Sequence, residues 1–209
     1  EQIDFKNGKK GETIHLTIDT EIQNFTTELL RGKAGSICVM DIYTGEIIAM
    51  NSAPSFDPNI FLYGMNEKKW KELQKDKLKP LLNKTISGLY SPGSTIKPIV
   101  ALSALENDLV RTDMNVGCNG KIEMYGHTYH CWKKKGHGNV TLKNAIKQSC
   151  DIYFYELARI LGVDRLNITA NKFGLGNKVL GEFYSNEKKG LVPSTKWKKQ
   201  ELDENWYLG

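Results

Sequence analysis

Long apolar runs are missing from this sequence, and no segment approaches the roughly 20 apolar residues that a helix needs to span a bilayer. The opening, Glu1 to Gly11, is polar and charged, so we expect no signal peptide in it. Internal repeats and low-complexity tracts are also missing, which excludes a solenoid or a fibrous protein. What remains is a chain of 209 residues, 40% hydrophobic and 25% charged, as in ordinary globular domains.

A marked excess of one charge is missing too. The chain carries 29 Lys and Arg residues against 24 Asp and Glu residues, a net charge of +5. Lysines concentrate in residues 68–79, 133–135 and 188–199. We interpret these clusters as solvated basic faces, because the sequence has no RNA- or DNA-binding motif beside them. The composition therefore predicts no nucleic-acid partner.

The hydrophobic periodicity predicts an α+β fold that begins with strands. Residues 12–18 alternate between polar and apolar positions, which indicates a strand. Asp19 is placed to cap a helix whose apolar residues share one side. Two apolar runs, 37–40 and 47–50, are separated by a turn and predict a buried hairpin. Cys38, within the first run, is expected to be a buried small hydrophobic residue.

The middle of the chain is predicted to be mainly helical. Residues 66–84 are rich in lysine and indicate a surface helix and loop. The segment from Ser94 to about Asn107 is apolar on nearly all sides, as in a buried helix. Residues 111–139 are rich in Gly, His and Cys and are predicted to be a loop. Helical patterns return in three further segments, 141–148, 150–161 and 164–173.

A Ser-x-x-Lys spacing lies at the start of the predicted buried helix. On a helix, positions i and i+3 share a face, so the amine of Lys97 can reach the hydroxyl of Ser94. The preceding turn places Ser94 at the helix N-terminus, where free N–H groups favour a developing negative charge. The same spacing also occurs by chance on surface helices, where both residue types are common. A lysine inside an otherwise apolar helix needs an explanation, so Ser94 and Lys97 are a candidate nucleophile and base, while the motif alone leaves chance occurrence equally open.

The segment around this serine resembles the first catalytic motif of class B penicillin-binding proteins, Gly-x-Tyr-x-Pro-Gly-Ser-Thr-x-Lys-Pro. It consists here of Gly88-Leu89-Tyr90-Ser91-Pro92-Gly93-Ser94-Thr95-Ile96-Lys97-Pro98. Residues 41–50 are similar to the strand pair that opens the transpeptidase domain of this family, and residues 54–59 to the segment that follows. Three further segments resemble the elongation-type members: Trp132-Lys133-Lys134, Gly136-His137-Gly138 and Thr195-Lys196-Trp197-Lys198.

The resemblance covers essentially the whole chain and implies an incomplete penicillin-binding transpeptidase fold, similar to that of serine β-lactamases. Within it we distinguish residues 12–60, a first helix with antiparallel sheet strands, from residues 61–209, a mainly helical part. The resemblance also implies a D,D-transpeptidase that forms an acyl-enzyme on Ser94 from D-Ala-D-Ala stem peptides. Such an enzyme cross-links peptidoglycan during cell-wall elongation and is inhibited by β-lactams.

The second motif of the family, Ser-x-Asp in the elongation type, is matched by Ser149-Cys150-Asp151. The resemblance makes Ser149 a proton shuttle between Lys97 and the leaving group. It makes Asp151 a partner that holds the lysine and the substrate backbone. The alternative for Ser149 is a helix cap, with Asp151 at the start of the following helix.

The third motif, Lys-Thr-Gly or Lys-Ser-Gly on a strand, is missing, since Lys135-Gly136 and Lys189-Gly190 lack the hydroxyl residue. The family places it beyond Gly209, and it places a non-catalytic domain and a membrane anchor before the first strand. We therefore expect a fragment that is inactive by itself. The resemblance places the intact protein at the periplasmic face of the bacterial inner membrane, with a polytopic membrane glycosyltransferase of the elongation machinery as partner.

Three cysteines and a histidine supply the donor atoms of a tetrahedral zinc site: Cys118, Cys131, His137 and Cys150. A disulfide between Cys118 and Cys131 is the alternative. His127 and His130 are rival ligands, which we expect to be solvated. Elongation-type penicillin-binding proteins hold zinc at positions that match these four, so the resemblance implies a structural zinc without an open coordination position. Because Cys150 lies inside the second motif, such a metal would fix the backbone of that motif.

Two other functions stay open at this point. The first is a β-lactamase or a β-lactam sensor of the same fold, which would also form an acyl-enzyme on Ser94. The second is a non-catalytic binding module stabilised by zinc, which the missing third motif favours.

Overall fold

A computed structural model describes residues 8–207 of the chain, without the side chains of residues 182 and 183. The chain forms two compact units, one ending at Gly88 and the other beginning at Leu89. This boundary lies later than residue 60, where the sequence suggests a change from sheet to helix. Part of the polar opening and the last two residues of the chain lie outside the described range.

Within residues 8–88, the first unit contains three helices, a hairpin and a 3₁₀ turn. They are α1 (Thr20–Leu29), β1 (Gly35–Met40), β2 (Ile47–Ala53), the turn Pro58–Phe61, α2 (Glu67–Lys75) and α3 (Lys84–Ser87). The carboxylate of Asp19 caps α1 by accepting the N–H of Ile22. β1 and β2 pair antiparallel, with Cys38 opposite Met50. The predicted capped helix, hairpin and lysine-rich surface helix are thus confirmed.

The predicted strand over residues 12–18 is wrong. This segment has no regular secondary structure, and Ile14 and Leu16 are 80% and 76% exposed. It is held to β2 by two hydrogen bonds, from the Thr17 hydroxyl to the Ile47 carbonyl and from the Asp19 N–H to the Ile48 carbonyl. Alternation alone cannot supply a strand with a partner, and without a hydrogen-bonded ladder the segment stays irregular.

The side chains of the hairpin β1–β2 are less buried than its apolar runs predict. Ala49 is buried, whereas the other residues of β1 and β2 are half-buried or exposed. Cys38 is exposed, so its prediction as a buried residue is wrong. Burial along β1 alternates with period two, which places Cys38 on the open face of the two-stranded sheet. The apolar composition of a strand does not say which of its faces is covered.

The second unit is mainly helical. Its elements are the 3₁₀ turn Gly93–Ile96, α4 (Lys97–Glu106), β3 (Asn115–Cys118), β4 (Lys121–Met124), β5 (His127–His130), β6 (Gly138–Thr141), α5 (Leu142–Lys147), α6 (Asp151–Leu161), α7 (Val163–Lys172), the 3₁₀ turn Gly181–Tyr184 and α8 (Thr195–Leu202). The three helices predicted after residue 140 are confirmed as α5, α6 and α7.

Residues 111–139 are not the loop that their composition predicts. β3 pairs antiparallel with β6, and β4 pairs antiparallel with β5. Each strand has only four residues, and glycine-containing turns separate them, so the period-two pattern is too short to recognise in the sequence. The pairing matters for the site because it brings distant cysteines and a histidine together.

The core of the second unit lies where α4 and α6 pack together. Its buried residues include Val100, Ala101 and Ala104 from α4 and Ile152, Tyr153, Leu157 and Leu161 from α6. Burial of each large apolar side chain contributes about 1.5–3 kcal/mol. α4 is thereby confirmed as the buried helix that follows Ser94. In the described part of the chain, no helix is both long and apolar enough to cross a membrane.

Candidate active site

Ser94 lies on a tight turn that leads directly into α4. Gly93 has a φ of +55°, a conformation that glycine adopts without strain, and the 3₁₀ turn Gly93–Ile96 follows. The backbone N–H of Lys97 donates to the carbonyl of Ser94, which fixes the two residues one turn apart. Ser94 itself is exposed. The turn therefore presents a hydroxyl to solvent directly before a buried helix.

Lys97 begins α4 and is only 9% exposed. Its Nζ donates to the Ser149 hydroxyl and to the Ser149 carbonyl at 3.0 Å each, and to Asp151 Oδ1 at 2.7 Å. The ring of Phe154 lies 5.5 Å from the same nitrogen. Among the described residues, the Ser94 hydroxyl is not a hydrogen-bond partner of this amine. The structure thus joins three of the four predicted catalytic residues directly and holds Ser94 beside them through the backbone.

Asp151 is the first residue of α6, where the helix N-terminus favours a negative charge. Its Oδ1 pairs with Lys97, and its Oδ2 accepts the backbone N–H of Trp132 at 3.0 Å. Burial by itself raises the pKa of Asp151, but the hydrogen bonds from Lys97 and Trp132 outweigh burial and lower the pKa below its ordinary value. Asp151 is therefore a carboxylate at neutral pH, placed to stabilise a proton that the Lys97 amine accepts.

Ser149 closes α5 in a conformation that favours glycine. Its φ is +51°, and its N–H donates to the Ile146 carbonyl while the N–H of Cys150 donates to the Ala145 carbonyl. These two bonds form a Schellman C-cap, in which this position is most often glycine. A serine here costs roughly 1 kcal/mol or more, and its hydroxyl contacts Lys97. The alternative of Ser149 as a cap of α6 is wrong, because Cys150 occupies the N-cap position.

The short strands gather the four predicted metal ligands. Cys118 ends β3, Cys131 directly follows β5, His137 directly precedes β6, and Cys150 precedes α6. The N–H of Cys131 donates to the Gly120 carbonyl at 2.9 Å, which extends the β4–β5 pairing to the cysteine. The four ligand atoms lie within 4.8 Å of one another, and all three thiols are buried. Residues spread over two sheets and a helix thus form one cluster.

The donor geometry of this cluster fits a zinc ion. The sulfur atoms of Cys118 and Cys131 each lie 3.5 Å from Nδ1 of His137. Tetrahedral bonds of about 2.3 Å to sulfur and about 2.0 Å to nitrogen separate the two donor types by about 3.5 Å. All cysteines are free, so the alternative Cys118–Cys131 disulfide is not formed. The rival histidines, His127 and His130, are exposed on β5 and lie outside the cluster.

Protonation of the cluster follows from its burial. Burial raises the pKa of the Cys150 thiol to about 12, and the neighbouring Cys118 adds to this. Burial also raises the pKa of Cys118, but hydrogen bonds from the backbone N–H groups of Gly120 and His137 outweigh burial, so the pKa of this thiol is lowered overall. Burial lowers the pKa of His137, with a smaller contribution from Lys133, so the imidazole is neutral as a metal ligand must be. A bound cation would remove the thiol protons that burial otherwise retains.

Two glycines make the close packing of the ligand loops possible. A Cβ atom on Gly120 would lie 2.1 Å from the Lys134 carbonyl oxygen, and one on Gly136 would lie 2.0 Å from the Cys118 carbonyl oxygen. Both glycines also have positive φ. No other residue fits at either position without moving the backbone of a ligand loop.

Trp132 is a site residue that the sequence pattern did not identify. It follows the ligand Cys131, donates its backbone N–H to Asp151 and donates its indole N–H to the Gln148 carbonyl. Its ring meets the His137 ring edge to face, with centroids 5.4 Å apart. Two sequence signals pointed to it, the resemblance of Trp132-Lys133-Lys134 to elongation-type members and its position next to a predicted ligand. Neither reveals a backbone contact to a residue 19 positions away.

The chain is similar in sequence to known proteins over nearly its full length. Residues 35–206 match the family described as the penicillin binding protein transpeptidase domain. The peptidoglycan D,D-transpeptidase MrdA of Acinetobacter baumannii is 37% identical over 206 residues, which cover 98% of this chain and 30% of that protein. The chain therefore spans about a third of the length of this relative.

Solved structures share its fold. PBP2 of Pseudomonas aeruginosa, determined in complex with WCK 5153, superposes with a TM-score of 0.85 at 40% identity, over 93% of this chain and 44% of that one. PBP2 of Helicobacter pylori, determined in complex with MreC, gives a TM-score of 0.85 at 35% identity, over 91% and 36%. These matches confirm the predicted penicillin-binding transpeptidase fold. With the family match covering most of its residues, the chain belongs to the penicillin-binding protein transpeptidase family.

Proposed function

We propose that this protein is a serine D,D-transpeptidase that cross-links peptidoglycan during cell-wall elongation. The observation that carries the proposal is the position of Lys97, whose amine contacts both Ser149 and Asp151 one turn after the exposed Ser94. The relative from A. baumannii is named as a D,D-transpeptidase, which favours this function over a β-lactamase, a β-lactam sensor or a non-catalytic module.

In the proposed reaction, Ser94 Oγ attacks the carbonyl carbon of the penultimate D-Ala in a D-Ala-D-Ala stem peptide. Its proton passes to Lys97, directly or through the Ser149 hydroxyl, and Asp151 stabilises the resulting ammonium. The carbon–nitrogen bond then breaks, and the same proton reaches the leaving D-Ala amine. The amine of a second stem peptide attacks the acyl-enzyme, which forms the cross-link and returns the Ser94 hydroxyl.

The lifetime of a penicillin adduct tests this reaction class. When the ring of a β-lactam opens, the leaving amine stays attached to the acyl group and remains in the site. It therefore blocks the acceptor amine that would otherwise attack the acyl-enzyme. We expect the mass of the intact protein to increase by one penicillin and to stay increased for hours. Rapid return to the unmodified mass, with release of hydrolysed penicillin, would identify a β-lactamase instead.

The strained backbone of Ser149 gives a prediction that separates catalysis from stability. Ser149→Gly removes the hydroxyl but suits the positive φ, so acylation should slow by about 10²-fold or more while stability is maintained. Ser149→Ala removes the same hydroxyl and keeps the strain, so it should be equally slow and about 1 kcal/mol less stable than the glycine variant. Acylation rates and melting temperatures of both variants check this. Normal acylation in Ser149→Gly would exclude the shuttle role.

The cellular place of the protein follows from the same proposal. Peptidoglycan is assembled outside the cytoplasm, so we assign the protein to the periplasmic face of the bacterial inner membrane, anchored by a segment outside this chain. A polytopic membrane glycosyltransferase of the elongation machinery would supply the glycan strands as partner. Support comes from a solved structure, 32% identical to this chain, that is described as a peptidoglycan synthase complex coordinating polymerization and crosslinking. Recovery of the intact protein in the cytoplasmic fraction of cells would contradict this assignment.

We further propose that the thiol and imidazole cluster holds one structural zinc ion. Its ligands would be Cys118, Cys131, His137 and Cys150, whose donor atoms lie within 4.8 Å of one another, with two sulfur–nitrogen distances of 3.5 Å that suit a tetrahedral zinc site. Four protein ligands leave no open position, so zinc would supply only fixed geometry. Since Cys150 stands between Ser149 and Asp151, the ion would hold the backbone that carries both of them.

Zinc content and matched histidine variants test this proposal. We expect one zinc ion per chain in the intact protein, and we expect His137→Ala to lose it and to melt at a lower temperature, by about 2–4 °C for each kcal/mol of stability lost. The control is His127→Ala, which alters an exposed histidine outside the cluster and should retain both zinc and melting temperature. Elemental analysis without zinc, or equal zinc in the two variants, would contradict the ligand assignment.

A further inference from the structure

Trp132 contacts both sides of the proposed catalytic centre. Its backbone N–H donates to Asp151 Oδ2 at 3.0 Å, and its indole Nε1–H donates to the Gln148 carbonyl at 3.1 Å. The residue is 65% exposed, so removal of its ring from water contributes little to the stability of the fold. Both of its N–H donors are nevertheless used. One acceptor belongs to Asp151, which contacts Lys97, and the other belongs to Gln148, which directly precedes the Lys97 partner Ser149.

The indole bond fixes the peptide group directly before Ser149. Gln148 is the C-cap of α5, where the final carbonyl groups have no partner inside the helix. Its carbonyl and the Ser149 nitrogen belong to one planar peptide unit. Holding that carbonyl therefore holds the plane from which Ser149 departs at a φ of +51°, a conformation that surrounding contacts must maintain.

We propose that Trp132 is a positioning residue that holds Ser149 and Asp151 on the two sides of Lys97. Its backbone N–H orients the Asp151 carboxylate, and its indole N–H orients the backbone of Ser149. The ring edge against His137 adds contact with the ligand loop, in which Nε2 of His137 is buried without a hydrogen-bond partner among the described residues. This role rests on the proposed acyl-enzyme function of Ser94.

The test compares two tryptophan-to-phenylalanine variants of the intact protein. Trp132→Phe keeps an aromatic ring and the backbone N–H, and it removes the indole donor together with part of the ring system. We expect its acylation rate constant with a fluorescent penicillin to fall about three- to tenfold, the effect of one lost hydrogen bond. The final labelling stoichiometry, the non-covalent dissociation constant for penicillin and the melting temperature should not change. The control, Trp70→Phe, changes a tryptophan on α2 in the first unit and should be labelled at the wild-type rate.

Each outcome decides one point. A wild-type rate in Trp132→Phe, with the wild-type protein labelled normally, would overturn the positioning role and leave the proposed function intact. A lower stoichiometry at an unchanged rate would also overturn it, because it indicates loss of folded protein alone. An unlabelled wild-type protein would instead contradict the proposed function. If Trp132→Phe does not fold, benzothienylalanine at position 132 has the shape of tryptophan without the N–H and should show the same fall in rate.

Discussion

Ser94→Ala is expected to abolish covalent labelling of the intact protein by a fluorescent penicillin. Alanine has no oxygen to form the ester, and the amine of Lys97 is occupied by Ser149 and Asp151. The fold should be unaffected, since Ser94 is exposed and substitutions at such positions usually change stability by less than about 0.5 kcal/mol. Gel fluorescence after denaturation measures the covalent adduct, and a thermal melt measures the fold.

The matched control is Ser91→Ala, three residues earlier in the same exposed segment. It should be labelled at the wild-type rate and melt at the wild-type temperature. Labelling that survives Ser94→Ala, or that disappears in Ser91→Ala alone, would show that the nucleophile has been assigned to the wrong serine.

Lys97→Ala is expected to slow acylation by about 10²–10⁴-fold, the usual contribution of a general base. A serine hydroxyl is a poor nucleophile until a base takes its proton, and Lys97 carries the amine that contacts both second-motif residues. The variant should also lose stability, because it leaves the partly buried carboxylate of Asp151 without its ion-pair partner. The rate of penicillin acylation and the melting temperature report the two effects separately.

A double variant separates the loss of catalysis from the loss of stability. The double variant Lys97→Ala, Asp151→Asn has no unpaired carboxylate. Its melting temperature should therefore recover part of the decrease that Lys97→Ala alone causes, while acylation stays slow. The control is Lys172→Ala, which breaks an exposed ion pair with Glu106 and should leave acylation unchanged. If the double variant recovered acylation together with stability, the role of Lys97 would be structural.

The first motif could be located from the sequence because it depends on local geometry. Ser94, Lys97 and Pro98 lie within one turn, and the apolar residues that follow predict a buried helix whatever the rest of the fold does. The cap of α1 by Asp19 was predictable for the same reason. Contacts between residues a few positions apart follow from helix periodicity alone.

The role of Ser149 could be predicted only in part. Its match to a family motif placed it near Lys97, but its backbone conformation depends on how α5 ends and α6 begins. Serine is common at helix N-caps, so the sequence suggested a cap. The structure instead places it at the C-terminal end of α5 with positive φ, where glycine is the usual residue. A polar residue at a glycine position is a sign of function that becomes visible once the backbone is known.

The wrong predictions depended on long-range pairing. Cys38 is exposed because one face of its two-stranded sheet is open, which its apolar neighbours do not indicate. The sequence predicts a loop where the short strands β3–β6 lie, because four residues are too few to establish a period. The donor types of Cys118, Cys131, His137 and Cys150 nevertheless predicted that these residues meet. The residue types thus predicted the cluster, although the hydrophobic pattern did not predict the strands that form it.

Peptide mapping of the penicillin adduct tests the central assignment most directly. The intact protein is acylated, digested and analysed by tandem mass spectrometry, which locates the added mass on a single side chain. We predict that it lies on Ser94, in the peptide that also contains Gly93 and Thr95, with one adduct per chain. An adduct on any other residue, or a protein that forms none while retaining its fold, would contradict the assignment of Ser94 as the nucleophile.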